Sequence, residues 1–516
     1  MNGGVAASAC GERTMRTMPG TSAPRRGMVR NVLHLGLGQV ATTVLTILSS
    51  AAIARTLGAS DFGLLYLLTS IATFAYVVID WGHGPYIIRE VARNPVRAGE
   101  LLGSAIVLRT LMACAASVIA AASTWLLGYD RQTCLLAGAF ILTWLPMYLG
   151  LSFGWVFRGR ERMDRDAQLN VVQKLAALGI VIVCVVLGGR VAALVLSQAI
   201  AGLITCALGV AMYRSLGLSP IRTTMATARE LLRDGAAILA MSLAVAVEPY
   251  FNANILYKMA SPAVVGWYGA AWNIAGTLVA PAMIVGATMY PRLSSTASDA
   301  AAFKRAVRSS FRPLFLVAVV GAVGTYLFAD VAVGLIYGAR KFGPAADNLR
   351  AFSVVLLFMY IDLFFSHAIL AVGKAGRLAS CKVGVVVVTL TLEFFLVPFF
   401  ESRYGNGGLG VMSAMAVGEL MMTISAMWLV REAIDQYMIA DVGRGLCSGA
   451  VTVLLIQRLS SSTPFLTIPL CIALFFGVSA AIGLVNRSDI DQLLAGFRQR
   501  SSTAVEPAGD FDPSYR

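Results

Sequence analysis

The chain has 516 residues, of which 58% are hydrophobic and only 13% are charged. Soluble proteins carry about 25% charged residues, so this chain has about half the usual fraction. Its mean hydropathy is +0.75, and its net charge is +14. This composition excludes an intrinsically disordered chain and argues against a soluble enzyme. The basic residues stand in short clusters between long apolar runs, which is typical of multi-spanning membrane proteins and argues against nucleic acid as a partner.

Apolar runs long enough to cross a bilayer, which takes about 20 residues, occur about fourteen times. They predict an all-α integral membrane protein with about 14 transmembrane helices. The runs lie near 31–53, 63–84, 103–125, 134–156, 168–188, 191–213, 235–257, 264–288, 313–333, 349–372, 379–400, 408–430, 443–457 and 464–485.

Basic residues are distributed unequally between the two predicted sides of the membrane. One side, with both tails, carries 31 Lys and Arg residues, including Lys174, and the other carries nine. Because basic segments stay in the cytoplasm, the asymmetry predicts cytoplasmic termini and an even number of spans in a bacterial inner (plasma) membrane. "Inner" and "outer" below refer to these predicted sides. Arg109 falls inside the third span, about six residues from its start, and we expect its side chain to extend to the interface.

Basic residues and glycines at helix ends recur with an offset of 203 residues. The pairs are Arg55 with Lys258, Gly63 with Gly266 and Arg89 with Arg292. The recurrence predicts two parallel six-helix lobes, a transporter arrangement that places the substrate between the halves. The predicted organisation is a cytoplasmic tail (1–30), an N-lobe (31–213), a cytoplasmic linker (214–234), a C-lobe (235–431), two further helices (432–486) and a cytoplasmic C-terminal tail (487–516).

Six segments in the two predicted lobes stand out by their order and spacing. They read ARTLGASDFG (54–63), IIREVARNP (87–95), VVGWYGAAWNIAG (264–276), YPRLSS (290–295), IYGARKFGPAADNLR (336–350) and GNGGLGVMSAMAVGE (405–419). Together they resemble the polysaccharide-unit (O-antigen or exopolysaccharide repeat-unit, Wzx-type) flippases of the multidrug/oligosaccharidyl-lipid/polysaccharide exporter superfamily.

The resemblance implies a function in surface polysaccharide biosynthesis. A flippase of this type moves a polyprenyl-pyrophosphate-linked oligosaccharide from the inner to the outer leaflet by alternating access between two six-helix lobes. The implied partners are the lipid-linked oligosaccharide, the lipid bilayer and other polysaccharide assembly proteins.

A pyrophosphate substrate needs cationic partners, and guanidinium groups suit phosphate oxygens well. The repeat-related basic residues on helices expected to line the gap between the lobes are therefore candidate substrate contacts, as are polar and aromatic side chains on the same helices. The full candidate set is Arg55, Lys258, Arg89, Arg292, Tyr66, Tyr76, Asn252 and Asn273.

Polar side chains follow one face of the second predicted helix. Tyr66, Thr69, Thr73, Tyr76 and Asp80 are spaced as one helical stripe. The stripe predicts the wall of a water-filled cavity. The alternative is that the hydroxyl groups bond carbonyl oxygens of their own or neighbouring helices.

Acidic residues inside predicted spans are candidates for ion coupling, since a carboxylate in the membrane is costly and needs a reason. The set is Asp80, Glu248, Asp362, Glu393 and Glu419, and each could carry a proton or bind a sodium ion. The alternative is an ion pair with Arg109 or Lys382 that holds helices together. The cysteine and histidine spacings predict no metal site and no other cofactor.

Two other functions are compatible with a membrane protein of this kind. A multidrug exporter of the same superfamily would use acidic and aromatic cavity residues such as Asp80, Tyr66 and Tyr76. A membrane-embedded polysaccharide polymerase or transferase would need substantial outer loops with acid–base groups, whereas the longest predicted outer loop lies near 334–348. We therefore expect a transporter rather than an enzyme.

Overall fold

The computed structural model describes residues 24–459 and 464–484. Within these ranges the chain forms helices joined by turns, with no strand, which confirms the predicted all-α class. In the described part of the chain, fourteen helices of 18 residues or more overlap the fourteen predicted spans. By length and composition, eleven described segments can cross a membrane, and the bent pair Pro262–Met283 and Thr288–Thr296 adds a twelfth if it is one span. The exact number of crossings and the side of the termini stay predictions, and most of both tails lies outside the described residues.

The N-lobe is built from seven helices around α5. This helix packs against α4 and α7, while α1 packs against α6. The helices are α1 (Pro24–Leu57), α2 (Ala59–Asp80), α3 (His83–Arg93), α4 (Ala98–Leu126), α5 (Arg131–Gly159), α6 (Met163–Val186) and α7 (Val191–Ser215).

The C-lobe is centred on α13, which packs against α9, α10 and α15. Two further helices, α16 and α17, pack beside α10. The predicted linker 214–234 is non-helical only between Ser215 and Met225. The helices are α8 (Met225–Met259), α9 (Pro262–Thr296), α10 (Ala300–Leu327), α11 (Ala329–Ile336), α12 (Ala339–Phe342), α13 (Ala345–Ala371), α14 (Ala375–Tyr404), α15 (Gly408–Leu429), α16 (Gln436–Leu459) and α17 (Pro464–Ala481).

Large apolar side chains cover the outside of the bundle. Leu111, Trp125 and Phe395 are 63%, 69% and 70% exposed, respectively, as expected for surfaces that contact lipid. Because lipid tails are as apolar as leucine, burial of such groups does not drive helices together in a membrane. Close packing at small residues and hydrogen bonds must hold the lobes instead.

The two lobes meet along α2, which packs against both α8 and α9. On the outer side, Gly63 and Gly266, which the 203-residue offset relates, lie at the crossing of α2 and α9. A Cβ on Gly63 would overlap the Pro262 carbonyl oxygen, and one on Gly266 would overlap the Ala59 carbonyl oxygen. Only glycine allows this approach on both helices.

On the inner side, a break after α2 contacts the C-lobe. Trp81 and Gly82 have φ values of 46° and 72°, which end α2 and begin α3 in a new direction. Gly235 packs against the Trp81 carbonyl, and the Trp81 indole donates to the Leu232 carbonyl oxygen at 2.8 Å. The lobes therefore touch near both ends of α2.

Candidate functional site

A cavity of about 300 Å³, lined by both polar and apolar side chains, lies in the N-lobe between α1, α2, α5, α6 and α7. Thr69 and Thr73, from the middle of the predicted stripe on α2, line it. The aromatic wall comes from α5, where Phe140, Trp144 and Tyr148 are spaced one turn apart. The remaining lining residues are Thr46, Ser49, Ile53, Leu65, Met147, Gln173, Lys174, Ala177, Val181, Leu194 and Gln198.

Lys174 is the formally charged residue in this lining. The sequence prediction counted Lys174 among the basic residues of a cytoplasmic loop, whereas it lies well inside α6 (Met163–Val186) and lines this cavity. Its position within the predicted span 168–188 could have indicated this location, because placing a charged side chain inside the membrane costs free energy and such residues usually have a function.

Two aromatic members of the predicted stripe, Tyr66 and Tyr76, do not line this cavity. Tyr66 lies at the lobe interface, where its ring meets Tyr268 edge-on at 5.8 Å. Tyr76 is buried, stacks on Tyr148 at 3.8 Å and donates its hydroxyl to the Ile141 carbonyl oxygen at 2.7 Å. The prediction of one continuous cavity wall is therefore wrong for Tyr66 and Tyr76, since neighbouring helices cover those turns of α2.

Asp80 forms an ion pair with Arg109 across α2 and α4. The expected extension of Arg109 to the interface is wrong, because its side chain is only 1% exposed. The guanidinium group also donates to the Tyr148 carbonyl oxygen and the Ser152 hydroxyl. Its carbon lies 4.1 Å from the centre of the Trp155 ring. The ion pair that the sequence offered as the alternative for Asp80 is present, and a coupling role for Asp80 stays a prediction.

The other four acidic residues gather in the C-lobe. Glu248 from α8, Asp362 from α13, Glu393 from α14 and Glu419 from α15 interact electrostatically with one another or with Lys382 of α14. Four helices thus bring their carboxylates to one intramembrane cluster, below called the C-lobe acidic cluster. Glu393 and Glu419 each bury one carboxylate oxygen that has no hydrogen-bond partner among the described residues.

Asn252 of α8 contacts two members of this cluster. It is 1% exposed, and with its amide oriented to donate, its nitrogen lies 2.9 Å from Glu393 Oε1 and 2.6 Å from the Glu248 carbonyl oxygen. Asn252, a candidate substrate contact, therefore donates hydrogen bonds to the candidate coupling residues Glu393 and Glu248 in this conformation.

Arg55 and Lys258 each reach the opposite lobe on the outer side. Arg55, at the end of α1, donates to the Ile336 carbonyl oxygen at 2.9 Å and to that of Leu335, so it caps α11. Lys258, at the end of α8, places its ammonium 3.9 Å from the centre of the Tyr129 ring. In this conformation these cations connect the lobes instead of facing a gap between them.

Asn273 also connects the lobes. Its amide donates to Ser50 Oγ on α1 at 3.1 Å, and that hydroxyl lies 3.0 Å from the Tyr337 hydroxyl. Arg89 and Arg292 are exposed on α3 and α9, and Arg89 pairs with Glu90 at 3.3 Å. The structure thus places the eight candidate substrate contacts in several separate environments.

At the inner side, Glu230 joins the beginning of α8 to the N-lobe. Arg97 donates to both of its carboxylate oxygens, at 3.2 and 2.8 Å, and the Tyr86 hydroxyl donates to one of them. Glu230 precedes the predicted span 235–257, and the hydrogen bonds from Arg97 lower the pKa of its carboxyl group.

Residues 28–297, just over half of the chain, match the family described as polysaccharide biosynthesis protein. The chain belongs to this family. It is 22% identical over 379 residues to a probable low-salt glycan biosynthesis flippase of Haloferax volcanii, covering 72% of this chain and 78% of that protein. It is also 22% identical over 274 residues to a candidate O-antigen transporter of Escherichia coli, covering 52% of this chain and 65% of that protein.

Solved structures of two transporter types share the fold of this polysaccharide biosynthesis protein. The lipid II flippase MurJ, in its inward-closed conformation, aligns with a TM-score of 0.69 at 11% identity, covering 87% of this chain and 98% of that one. An inward-facing multidrug transporter of the MATE family aligns with a TM-score of 0.60 at 14% identity, covering 78% and 98%. By its family and its long apolar helices, the chain is a multi-pass membrane protein of the polysaccharide biosynthesis family, and it shares the fold of these two transporters.

Proposed function

We propose that this protein moves a polyprenyl-pyrophosphate-linked oligosaccharide from the inner to the outer leaflet for surface polysaccharide assembly, and that it is not an enzyme. The observation that carries this proposal is the family match, together with relatives named for glycan flipping and O-antigen transport. A cavity whose lining includes hydroxyl, amide and ammonium groups supports it, since an oligosaccharide needs hydrogen-bonding groups within the membrane.

The contacts between the lobes support a mechanism of alternating access. The outer contact includes a glycine crossing, the Arg55 cap on α11, the Lys258–Tyr129 contact and the Asn273–Ser50 hydrogen bond. The inner contact consists of the Trp81–Gly82 break on α8 and the Glu230 hydrogen bonds. The two sets lie near opposite ends of α2, so that one could separate while the other stays in contact. Opening one set at a time would expose the substrate to one side at a time.

Two residues that favoured the multidrug exporter alternative make other contacts in the structure. Asp80, the acidic group expected to bind an organic cation, is paired with Arg109, and Tyr76 is buried in the N-lobe. The MATE structures share only the fold with this chain.

The experiment for the function is a gene deletion in the host. We expect loss of surface polysaccharide, accumulation of lipid-linked repeat units on the inner leaflet, and restoration of both by the wild-type gene. Normal surface polysaccharide with increased sensitivity to cationic dyes would contradict the proposal and favour a drug exporter. Normal polysaccharide and normal dye sensitivity would also contradict it.

Energy coupling is proposed to reside in the C-lobe acidic cluster, through binding of a proton or a sodium ion. Glu248 is its central member, because it interacts with Lys382, Glu393 and Glu419. We expect Glu248→Gln to reduce gradient-driven flipping at least tenfold in proteoliposomes containing a fluorescent lipid-linked saccharide. Imposing a pH gradient and a sodium gradient separately identifies the ion.

The matched control is Asp347→Asn, which neutralises a half-exposed carboxylate on α13 and should leave flipping unchanged. If Glu248→Gln responds to both gradients as the wild type does, the assignment of coupling to this cluster is wrong.

A further inference from the structure

The N-lobe cavity has the chemistry of a sugar site with one cation. Its lining contributes hydroxyl groups from α1 and α2, amide groups from Gln173 and Gln198, and the aromatic side chains of α5. Hydroxyl and amide groups match the hydroxyls of a pyranose, since both can donate and accept hydrogen bonds. Aromatic faces suit its apolar C–H face. A cavity of about 300 Å³ is at the small end of ligand pockets and suits sugar rings rather than a polyprenyl chain.

Lys174 gives this cavity a preference for negative charge. Among the side chains that the structure describes, which do not include those of residues 24–39, the Lys174 ammonium group has neither an ion-pair nor a hydrogen-bond partner, and the cavity lining contains no carboxylate. An uncompensated cation inside the membrane is costly, and an entering anionic group supplies the missing partner.

Gln173, one residue before Lys174, has a weak partner. Its side chain is 4% exposed, and its amide nitrogen donates to the Met147 sulfur at 3.1 Å. Because a thioether is a weak acceptor, a ligand oxygen can replace it favourably. Two adjacent residues of α6 are therefore ready to bind an oxygen-rich anion.

We propose that this cavity binds an acidic sugar residue of the transported glycan, with its carboxylate on Lys174 and its ring beside Trp144 and Tyr148. The carrier pyrophosphate fits less well, since such groups are usually held by several cations or by bidentate guanidinium groups, and the lining offers one ammonium. The inference rests on the proposed function and adds the class of sugar that it selects.

The test is direct binding to the full-length protein in lipid nanodiscs by isothermal titration calorimetry. The probes are methyl β-glucuronide, the neutral methyl β-glucoside, and inorganic pyrophosphate. We expect the wild type to bind the glucuronide at least tenfold more tightly than the glucoside. Lys174→Met should remove this preference, whereas Lys174→Arg should keep glucuronide affinity within about threefold. Lys304→Met on α10, outside the cavity, should behave as the wild type.

Equal affinity for the two glycosides, or unchanged glucuronide binding in Lys174→Met, would overturn the proposal. Pyrophosphate binding that is tighter than glucuronide binding and is lost in Lys174→Met would also overturn it, by assigning Lys174 to the carrier.

The host deletion separates this site from the function. If deletion strands the glycan while Lys174→Met binds normally, the site fails and the flippase function stands. If Lys174→Met loses glucuronide binding while deletion leaves the polysaccharide intact, the flippase function fails, and with it the assignment of the sugar to a transported glycan.

Discussion

Replacing Asp80 with asparagine is expected to lower the free energy of unfolding by about 3 kcal/mol. The reason is that Arg109 is 1% exposed and a guanidinium group stays charged in proteins. Without its carboxylate partner, it remains as an uncompensated charge. We place the effect at the low end of the range for buried pairs because the Asp80 side chain is 35% exposed. Reversible denaturation in mixed detergent micelles, followed by tryptophan fluorescence, measures the change.

A double-mutant cycle separates the ion pair from other effects of the substitution. Arg109→Met should cost less than Asp80→Asn, since the partly exposed carboxylate that remains can be hydrated. Asp80→Asn with Arg109→Met should be more stable than the sum of the single effects predicts. Asp347→Asn, at an exposed pair with Arg350, should change stability by less than about 1 kcal/mol. Additive single effects would show that the pair contributes no coupling energy.

Gly63→Ala and Gly266→Ala are expected to open the outer side of the protein and reduce flipping at least tenfold. An added Cβ at either position would overlap a backbone carbonyl oxygen of the opposite lobe. Such an atom cannot move aside as a flexible side chain could. Relief of the overlap therefore requires separation of α2 from α9, and the outer-closed arrangement loses stability relative to other conformations.

The measurement is the labelling rate of Ser50→Cys by a membrane-impermeant maleimide, in a background that lacks the eight native cysteines. Ser50 bonds Asn273 across the lobes, so its access reports outer opening. We expect labelling to rise at least fivefold. Gly276→Ala, also on α9, is the control because nothing lies within 4 Å of an added Cβ there. Equal labelling in Gly63→Ala and Gly276→Ala would show that the crossing does not control opening.

Tyr148 connects three features of the N-lobe. It lines the cavity, its ring stacks on Tyr76, and its carbonyl oxygen accepts a hydrogen bond from Arg109. Arg109 in turn holds Asp80, which is the last residue of α2 before the break at Trp81 that contacts α8. A short series of direct contacts therefore connects Tyr148, in the cavity wall, to the contact between the lobes at Trp81 on the inner side.

The membrane class, the positions of the fourteen long helices and the family resemblance could be predicted from the sequence. These properties depend on local composition, because about 20 apolar residues span a bilayer whatever their neighbours are. Asp80 and the other acidic residues were also recognised, since a charge within an apolar run is visible without a fold.

The partners of those charges depended on the tertiary structure. Asp80 and Arg109 are 29 residues apart on different helices, and Arg55 reaches α11 from 281 residues away. Such contacts require the rotation of each helix about its axis and the approach of the two lobes, which hydropathy does not encode. The same reason applies to Lys174, which the sequence analysis assigned to a cytoplasmic loop and which the structure places in a cavity. The lining of that cavity comes from five helices, so it could not be predicted from the residues around Lys174 alone.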